Sequence, residues 1–347
     1  MRYRVILLFL LGLLPARLLW AAPAQQAFSD WQVTCNNQNF CVARNTGEHH
    51  GLVMTLSRSA GAHTDAVLRI ELGGLESSNV KENDIAPRLL LDGAPLSLSG
   101  EHWRVTPRQL TTDDPATISA FLQTVQDAKV ITLQKGAQNL SLVGLKAALL
   151  FIDAQQKRVG SETAWIEKGD EPPLSVPPAP ALKGVAVINP TPTPLTQQER
   201  SELLDYGNWR INGIRCSIDP LRREMRVTAL TDDKALLMIG CEAGAYNTID
   251  LAWVVSRTTP LTSRAVRLSL PFKTDAESRD MELTNATFDE KSRELVTLAK
   301  GRGLADCGIQ TRWRYDGQRF RLVRYAQEPS CDNWHGPDAW PTLWITR

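Results

Sequence analysis

The chain carries almost no net charge. Lys and Arg number 39 against 38 Asp and Glu, a formal +1, so no global field draws in nucleic acid. Enzyme signatures are missing as well. There is no Gly-x-Ser-x-Gly elbow, no His-Glu-x-x-His, no phosphate loop and no dinucleotide fingerprint. The six cysteines include no Cys-x2-Cys or His-Cys spacing of a zinc site. Histidines number five. His49 and His50 are adjacent and, on a strand, point to opposite faces, so with His63 and His102 they make a poor metal set. His335 stands near Asp332 and Asp338 in sequence, which reads as loop polarity rather than a hydrolase dyad. No cofactor and no metal are expected. No stretch beyond the N-terminal segment approaches the roughly 20 apolar residues that a membrane helix needs.

What is present begins with Met1-Arg2-Tyr3-Arg4, an apolar run from Val5 to Leu14, Pro15, and then Ala22-Pro23-Ala24. Basic, apolar and small residues in that order mark a secretory signal, here 1–24 with an A-x-A cut. The run is too short to span a bilayer, and no cysteine near the cut suggests a lipid anchor. The expectation is an exported bacterial protein of the periplasm, possibly secreted, with no membrane span after cleavage. In such a setting an even set of cysteines reads as disulfides. Pairing of neighbours is favoured: Cys35–Cys41, Cys216–Cys241 and Cys307–Cys331. The four C-terminal cysteines still allow three arrangements. Each of the last two bonds closes a loop worth roughly 3.5 kcal/mol of chain entropy.

Eight prolines fall between Pro172 and Pro194. Such a stretch is extended and cannot enter a sheet interior, so 170–196 reads as a semi-rigid linker between domains at 25–169 and 197–347. The fold class is α+β. The first domain is expected to hold a curved antiparallel sheet and two helices. Trp31, Val33 and Cys35 share one strand face, and further strands fit Gly51–Ser57, Ala66–Leu72, Arg88–Leu91 and Lys129–Gln134. Asp114 caps one helix, with Pro115 at its first position. Ser141 is placed as cap of the other, with Leu142, Leu145, Leu149 and Ile152 on its face. The second domain is read as mainly antiparallel β and disulfide-stapled, opened by a short helix with the capping box Thr196-Gln197-Gln198-Glu199. Strands fit Arg226–Leu230, Leu236–Cys241, Leu251–Ser256 and Val266–Leu270. Asn212-Gly213 and Asp316-Gly317 read as two-residue hairpin turns, the first placing Trp209 across from Cys216.

Phe28-Ser29-Asp30-Trp31-Gln32-Val33-Thr34-Cys35 with Cys41, and Gly144-Leu145-Lys146-Ala147-Ala148-Leu149-Leu150, resemble the invasion-associated locus B family of exported bacterial proteins. That likeness covers the first domain and implies a host-interaction role. Gly301-Arg302-Gly303-Leu304-Ala305-Asp306-Cys307-Gly308 and Trp340-Pro341-Thr342-Leu343-Trp344 resemble a domain-of-unknown-function family of exported proteins of about this length with six cysteines. That second likeness spans nearly all the mature chain and implies location and architecture, not chemistry.

The strongest local feature is the hairpin from Arg312 to Arg321. With Asp316-Gly317 as a two-residue turn, Arg314 opposes Arg319 and Arg312 opposes Arg321, while Trp313 and Phe320 pair on the other face. Opposed like charges need an offset. Acidic neighbours from adjacent strands are one answer. The other is an anionic ligand, an envelope component or an acidic protein face. Trp334, Trp340 and Trp344 read as a tail packed into its domain. The functional expectation is a non-catalytic binding protein for an anionic or glycan envelope ligand through Arg312, Arg314, Arg319 and Arg321. A protein-interaction module, such as a host-contact factor or enzyme inhibitor, and a hydrolase with an unrecognised site are the alternatives.

Overall fold

The computed structural model describes residues 22–46, 51–63, 65–73, 84–98, 102–134, 138–186, 191–274 and 278–347. All but the last three residues of the segment 1–24, where a secretory signal is expected, and the pair His49 and His50, lie outside them.

Five strands open the chain as an antiparallel meander: β1 (Ala24–Phe28), β2 (Trp31–Cys35), β3 (Cys41–Asn45), β4 (Leu52–Arg58) and β5 (Ala66–Leu72). Trp31 and Val33 are fully buried on the inner face, as their alternation predicts. Cys35 and Cys41 sit directly opposite and are bonded. The Asn36 side chain turns this hairpin, accepting from the Gln38 and Phe40 amides at 2.9 and 3.1 Å. β6 (Leu89–Leu91) and β7 (Ala94–Pro95) start a small second sheet, while β8 (Arg104–Val105) and β9 (Gln109–Thr112) extend the first.

Helix α1 (Pro115–Val125) is capped by Asp114, whose carboxylate accepts from the Thr117 amide, and it buries Ile118, Phe121, Leu122 and Val125. β10 (Val130–Leu133) and β11 (Asn139–Ser141) complete the small sheet. The second helix departs from expectation. α2 (Leu145–Gln155) starts after Gly144 in a left-handed conformation, and Ser141 ends β11 instead of capping. Gly144 lies so close to β1 that a Cβ there would meet the Phe28 carbonyl oxygen at 1.9 Å. Leu142 is buried but precedes the helix; Leu145, Leu149 and Ile152 form its core face.

Residues 170–186 and 191–196 hold an isolated bridge from Glu171 to Ser161 and one 3-10 turn, Pro173–Ser175, and otherwise no regular structure. They are laid against both halves. Val176 is buried. Val185 and Lys183 exchange backbone hydrogen bonds with Arg347 at 3.1 and 2.9 Å. The Thr193 amide donates to Asp232.

The capping box at Thr196 and Glu199 opens α3 (Gln197–Ile211). This helix runs further than expected and overturns the Asn212-Gly213 hairpin. Asn212 is its C-cap and Gly213 follows at φ +87°. Positive φ serves a helix end as readily as a tight hairpin, and burial of Leu203, Gly207 and Ile211 four residues apart decides for the helix. Trp209 is therefore not across from Cys216; it is 64% exposed and packs on Tyr206. The Cys216–Cys241 bond forms as favoured.

The second half continues with β12 (Met225–Ala229), β13 (Lys234–Ala243), β14 (Thr248–Ser256), β15 (Ser263–Ala265), β16 (Leu268–Ser269), β17 (Asp280–Met281) and β18 (Leu283–Thr284). β19 (Thr287–Asp289), β20 (Glu294–Lys300), β21 (Gly308–Tyr315), β22 (Phe320–Glu328) and β23 (Thr342–Ile345) form a five-stranded sheet. Every ladder between these strands is antiparallel. One core lies under α3 against β13; a second packs Leu236, Met238, Leu295, Trp313 and Trp344 together. The Cys307–Cys331 bond completes the favoured pairing. Trp340 and Trp344 are buried and Trp334 half-buried.

The halves also touch directly. The Asn37 side chain donates to the Ile345 carbonyl and accepts from its amide, both at 2.9 Å. Arg44 reaches Glu328 at 2.5 Å and also Asp332, and the three side chains are only 4–6% exposed. His335 lies 3.4 Å from Glu71.

Candidate ligand cleft

The arginine hairpin adopts a different register from the one its sequence suggests. Tyr315 pairs with Phe320 and Arg314 with Arg321; past a bulge, Arg312 pairs with Arg324. The loop is thus four residues, Asp316 to Arg319. Asp316 is the reason. Its carboxylate accepts from the Gln318 and Arg319 amides at 2.9 and 2.8 Å, and Tyr315 Oη donates to the Gly317 carbonyl at 2.9 Å. A side-chain turn of this kind outcompetes the tight two-residue turn. Trp313 is buried as expected but faces Leu322, not Phe320.

Four arginines still occupy paired positions, with Arg324 in place of Arg319. Their offset comes largely from a neighbouring strand. Glu294 of β20, 6% exposed, accepts from Arg314 at 2.9 Å and lies 3.7 Å from Arg312. Arg321 donates to Asp316 at 2.6 Å. Burial pushes the Asp316 carboxyl up, but Arg321 and the two loop amides outweigh it and hold it below the usual range. Arg324 donates to Gln310 and to the Trp340 carbonyl; burial, then Arg312, lower its pKa.

Arg319 and Arg321 meet other cations at the hairpin's tip. A cleft of about 1110 Å³ is lined by Lys183, Arg264, Arg267, Arg319 and Arg321, over Leu270, Phe320, Leu322 and Trp344. Its acidic lining residues are Asp280 and Asp316, the second already held by Arg321. Arg264, Arg267 and Arg319 have no ion-pair partner among the described residues. Sequence reasoning missed Lys183, Arg264 and Arg267. They come from the proline-rich segment and from β15 and its end, brought to the hairpin by topology alone.

Among the described residues, no group of three or more His, Cys, Asp or Glu could hold a metal ion. His335 is set against Glu71, whereas Asp332 binds Arg44 and Asp338 lies 3.9 Å from Arg312. These three residues are thus drawn to different partners.

The fold and cleft together define a disulfide-stapled, mostly antiparallel α+β protein with a basic groove in its second half. The chain belongs to the family described as protein of unknown function DUF1176, whose model matches residues 25–347. It is 78% identical over 347 residues, covering all of both chains, to a protein of Escherichia coli strain K12 titled uncharacterized protein YpfG. The likeness to the invasion-associated locus B family is not shown by these comparisons. No solved structure matches the chain.

Proposed function

We propose that this is a non-catalytic binding protein of the exported compartment that holds an anionic envelope ligand in the cleft at the tip of the β21–β22 hairpin. One observation carries the reading: five basic side chains line one cleft against two carboxylates, and three of the five have no ion-pair partner among the described residues. Guanidinium forks suit phosphate and carboxylate oxygens, which ammonium groups match less well. One further fact supports export: all six cysteines are paired, which fits an oxidising compartment. No helix among the described residues is long and apolar enough to cross a membrane.

The ligand residues of the proposal are Arg319 and Arg321 with Arg264, Arg267 and Lys183. Arg312 and Arg314 serve Glu294 instead. Titration calorimetry with pyrophosphate tests this. The double variant Arg264→Gln/Arg319→Gln is expected to keep its fold and to bind about tenfold more weakly, a loss of about 1.4 kcal/mol. The wild-type affinity is expected to fall as salt rises. Arg314→Gln, by contrast, strips a buried carboxylate of its donor and costs stability, about 1–3 kcal/mol. Undiminished binding by the Arg264/Arg319 variant would overturn the cleft as the site.

A further inference from the structure

A second cavity lies where the two halves meet. It measures about 240 Å³. Its floor is the outer face of the first sheet, opposite the core face that carries Trp31 and Val33. Register places its side chains in two rows across adjacent strands. Gln32, Arg44, Thr55 and Arg69 form one; Thr34, Val42 and Ser57 form the other. Trp334, His335 and Pro341 of the C-terminal segment form the roof.

The cavity's buried charges are matched in place. Arg44 is locked between Glu328 and Asp332, and His335 faces Glu71. Arg69 has no ion pair among the described residues, but it is exposed and its charge is solvated. A charged ligand would disturb this balance at a desolvation cost. Hydrogen-bonding capacity is what the lining has in surplus. Thr55 Oγ1 and Trp334 Nε1 are buried without a hydrogen-bond partner, and buried polar atoms of this kind are rare in native proteins. The Trp334 ring is already in contact with the Arg44 guanidinium at 4.6 Å and with the His335 ring at 3.8 Å. What Trp334 leaves unpartnered is its indole N–H. The volume falls below the roughly 300–1,000 Å³ of sites for drug-sized ligands, which suits one ring of a small molecule.

We infer that this interface cavity is a second binding site, separate from the basic cleft, for a small neutral polyhydroxyl compound, a single sugar ring or a cyclic polyol. Thr55, Ser57 and Gln32 supply mixed donors and acceptors to its hydroxyls, and the indole N–H of Trp334 supplies one further donor.

Titration calorimetry of the full chain with D-glucose, N-acetyl-D-glucosamine and myo-inositol tests the inference. At least one probe is expected to bind. Thr55→Val/Ser57→Ala, which keeps the side-chain shape nearly constant, is expected to weaken that binding about tenfold. Arg264→Gln/Arg319→Gln is expected to leave it unchanged, so failure here and failure of the cleft are told apart. A second readout needs no variant: adding the bound probe should shift the Trp334 indole N–H resonance of the wild-type protein. Three results would each overturn the inference. No probe binds at high millimolar concentration. Binding survives Thr55→Val/Ser57→Ala undiminished. Pyrophosphate, but no neutral probe, shifts the Trp334 resonance.

Discussion

Replacing Arg44 by Met tests how the two halves hold together. The guanidinium is 5% exposed and is gripped by Glu328 and Asp332, whose side chains are 4% and 6% exposed. Burial alone would lower the Arg44 pKa; Glu328 and then Asp332 more than reverse this and raise it. Burial pushes Glu328 up, with Arg44 opposing. Removing the cation leaves two buried carboxylates facing each other, and breaking a buried pair from one side costs roughly 3–5 kcal/mol. The contact between Arg44 and the Trp334 ring is lost as well. Arg44→Met is therefore expected to lower the urea midpoint by a matching amount. The pH response identifies the cause. In the variant the Glu328 carboxyl, already pushed up by burial, loses the Arg44 charge that opposed the rise. Its contribution is then fully present below the unfolded pKa and is lost as pH rises through the folded pKa. Arg44→Met should thus regain stability relative to wild type as pH falls from neutral toward the unfolded glutamate value of about 4.3. The triple variant Arg44→Met/Glu328→Gln/Asp332→Asn should recover most of the loss without that pH dependence. A cost below about 1 kcal/mol, the range of a surface pair, with no recovery in acid, would refute the clasp.

Two other outcomes follow from the same geometry. Gly144→Ala, at φ +98° with its Cβ 1.9 Å from the Phe28 carbonyl oxygen, is expected to cost at least about 3 kcal/mol in chemical denaturation, because both strain and overlap act; a wild-type midpoint would contradict the α2–β1 contact. We further propose that 25–169 and 197–347 are separate domains. Limited proteolysis should then cut first between Asp170 and Leu195 and leave two folded fragments, which co-elute in gel filtration for wild type and separate for Arg44→Met; a first cut elsewhere, or wholesale unfolding on nicking, would contradict the division.

Much of the fold was legible because its signals are local. Asp114 with Pro115, and Thr196 with Glu199, each carry their own cap within four residues, and both helices start where those signals place them. The strand over Ala66–Leu72 reads directly from its alternation. Asn212-Gly213 misleads because its local chemistry is shared by two structures. A left-handed glycine ends a helix as well as it turns a hairpin, and only contact between α3 and the second-half sheet selects between them. Ser141 misleads for a related reason. Its side chain does accept from the Val143 amide, but β10 claims its backbone, and the helix has to wait for Gly144.

The candidate site was legible in kind and not in place. Arginines opposed on one hairpin imply that carboxylates or a ligand must offset them, whatever the register. The sequence could not say which, because Glu294 is separated from the hairpin by an intervening turn and reaches Arg314 only through the β20–β21 pairing. The same limit hid Arg264, Arg267 and Lys183, whose approach to Arg319 depends on two sheets and on the Lys183–Arg347 hydrogen bond. Electrostatic need is a local property of sequence, since like charges can be counted along one strand. Its satisfaction is a property of topology. A hairpin whose charges are met by the neighbouring strand is structural at those positions. Where cations outnumber the carboxylates that face them, we propose that the imbalance is left for a ligand. On that criterion Arg312 and Arg314 belong to the fold, and Arg319 belongs to the cleft.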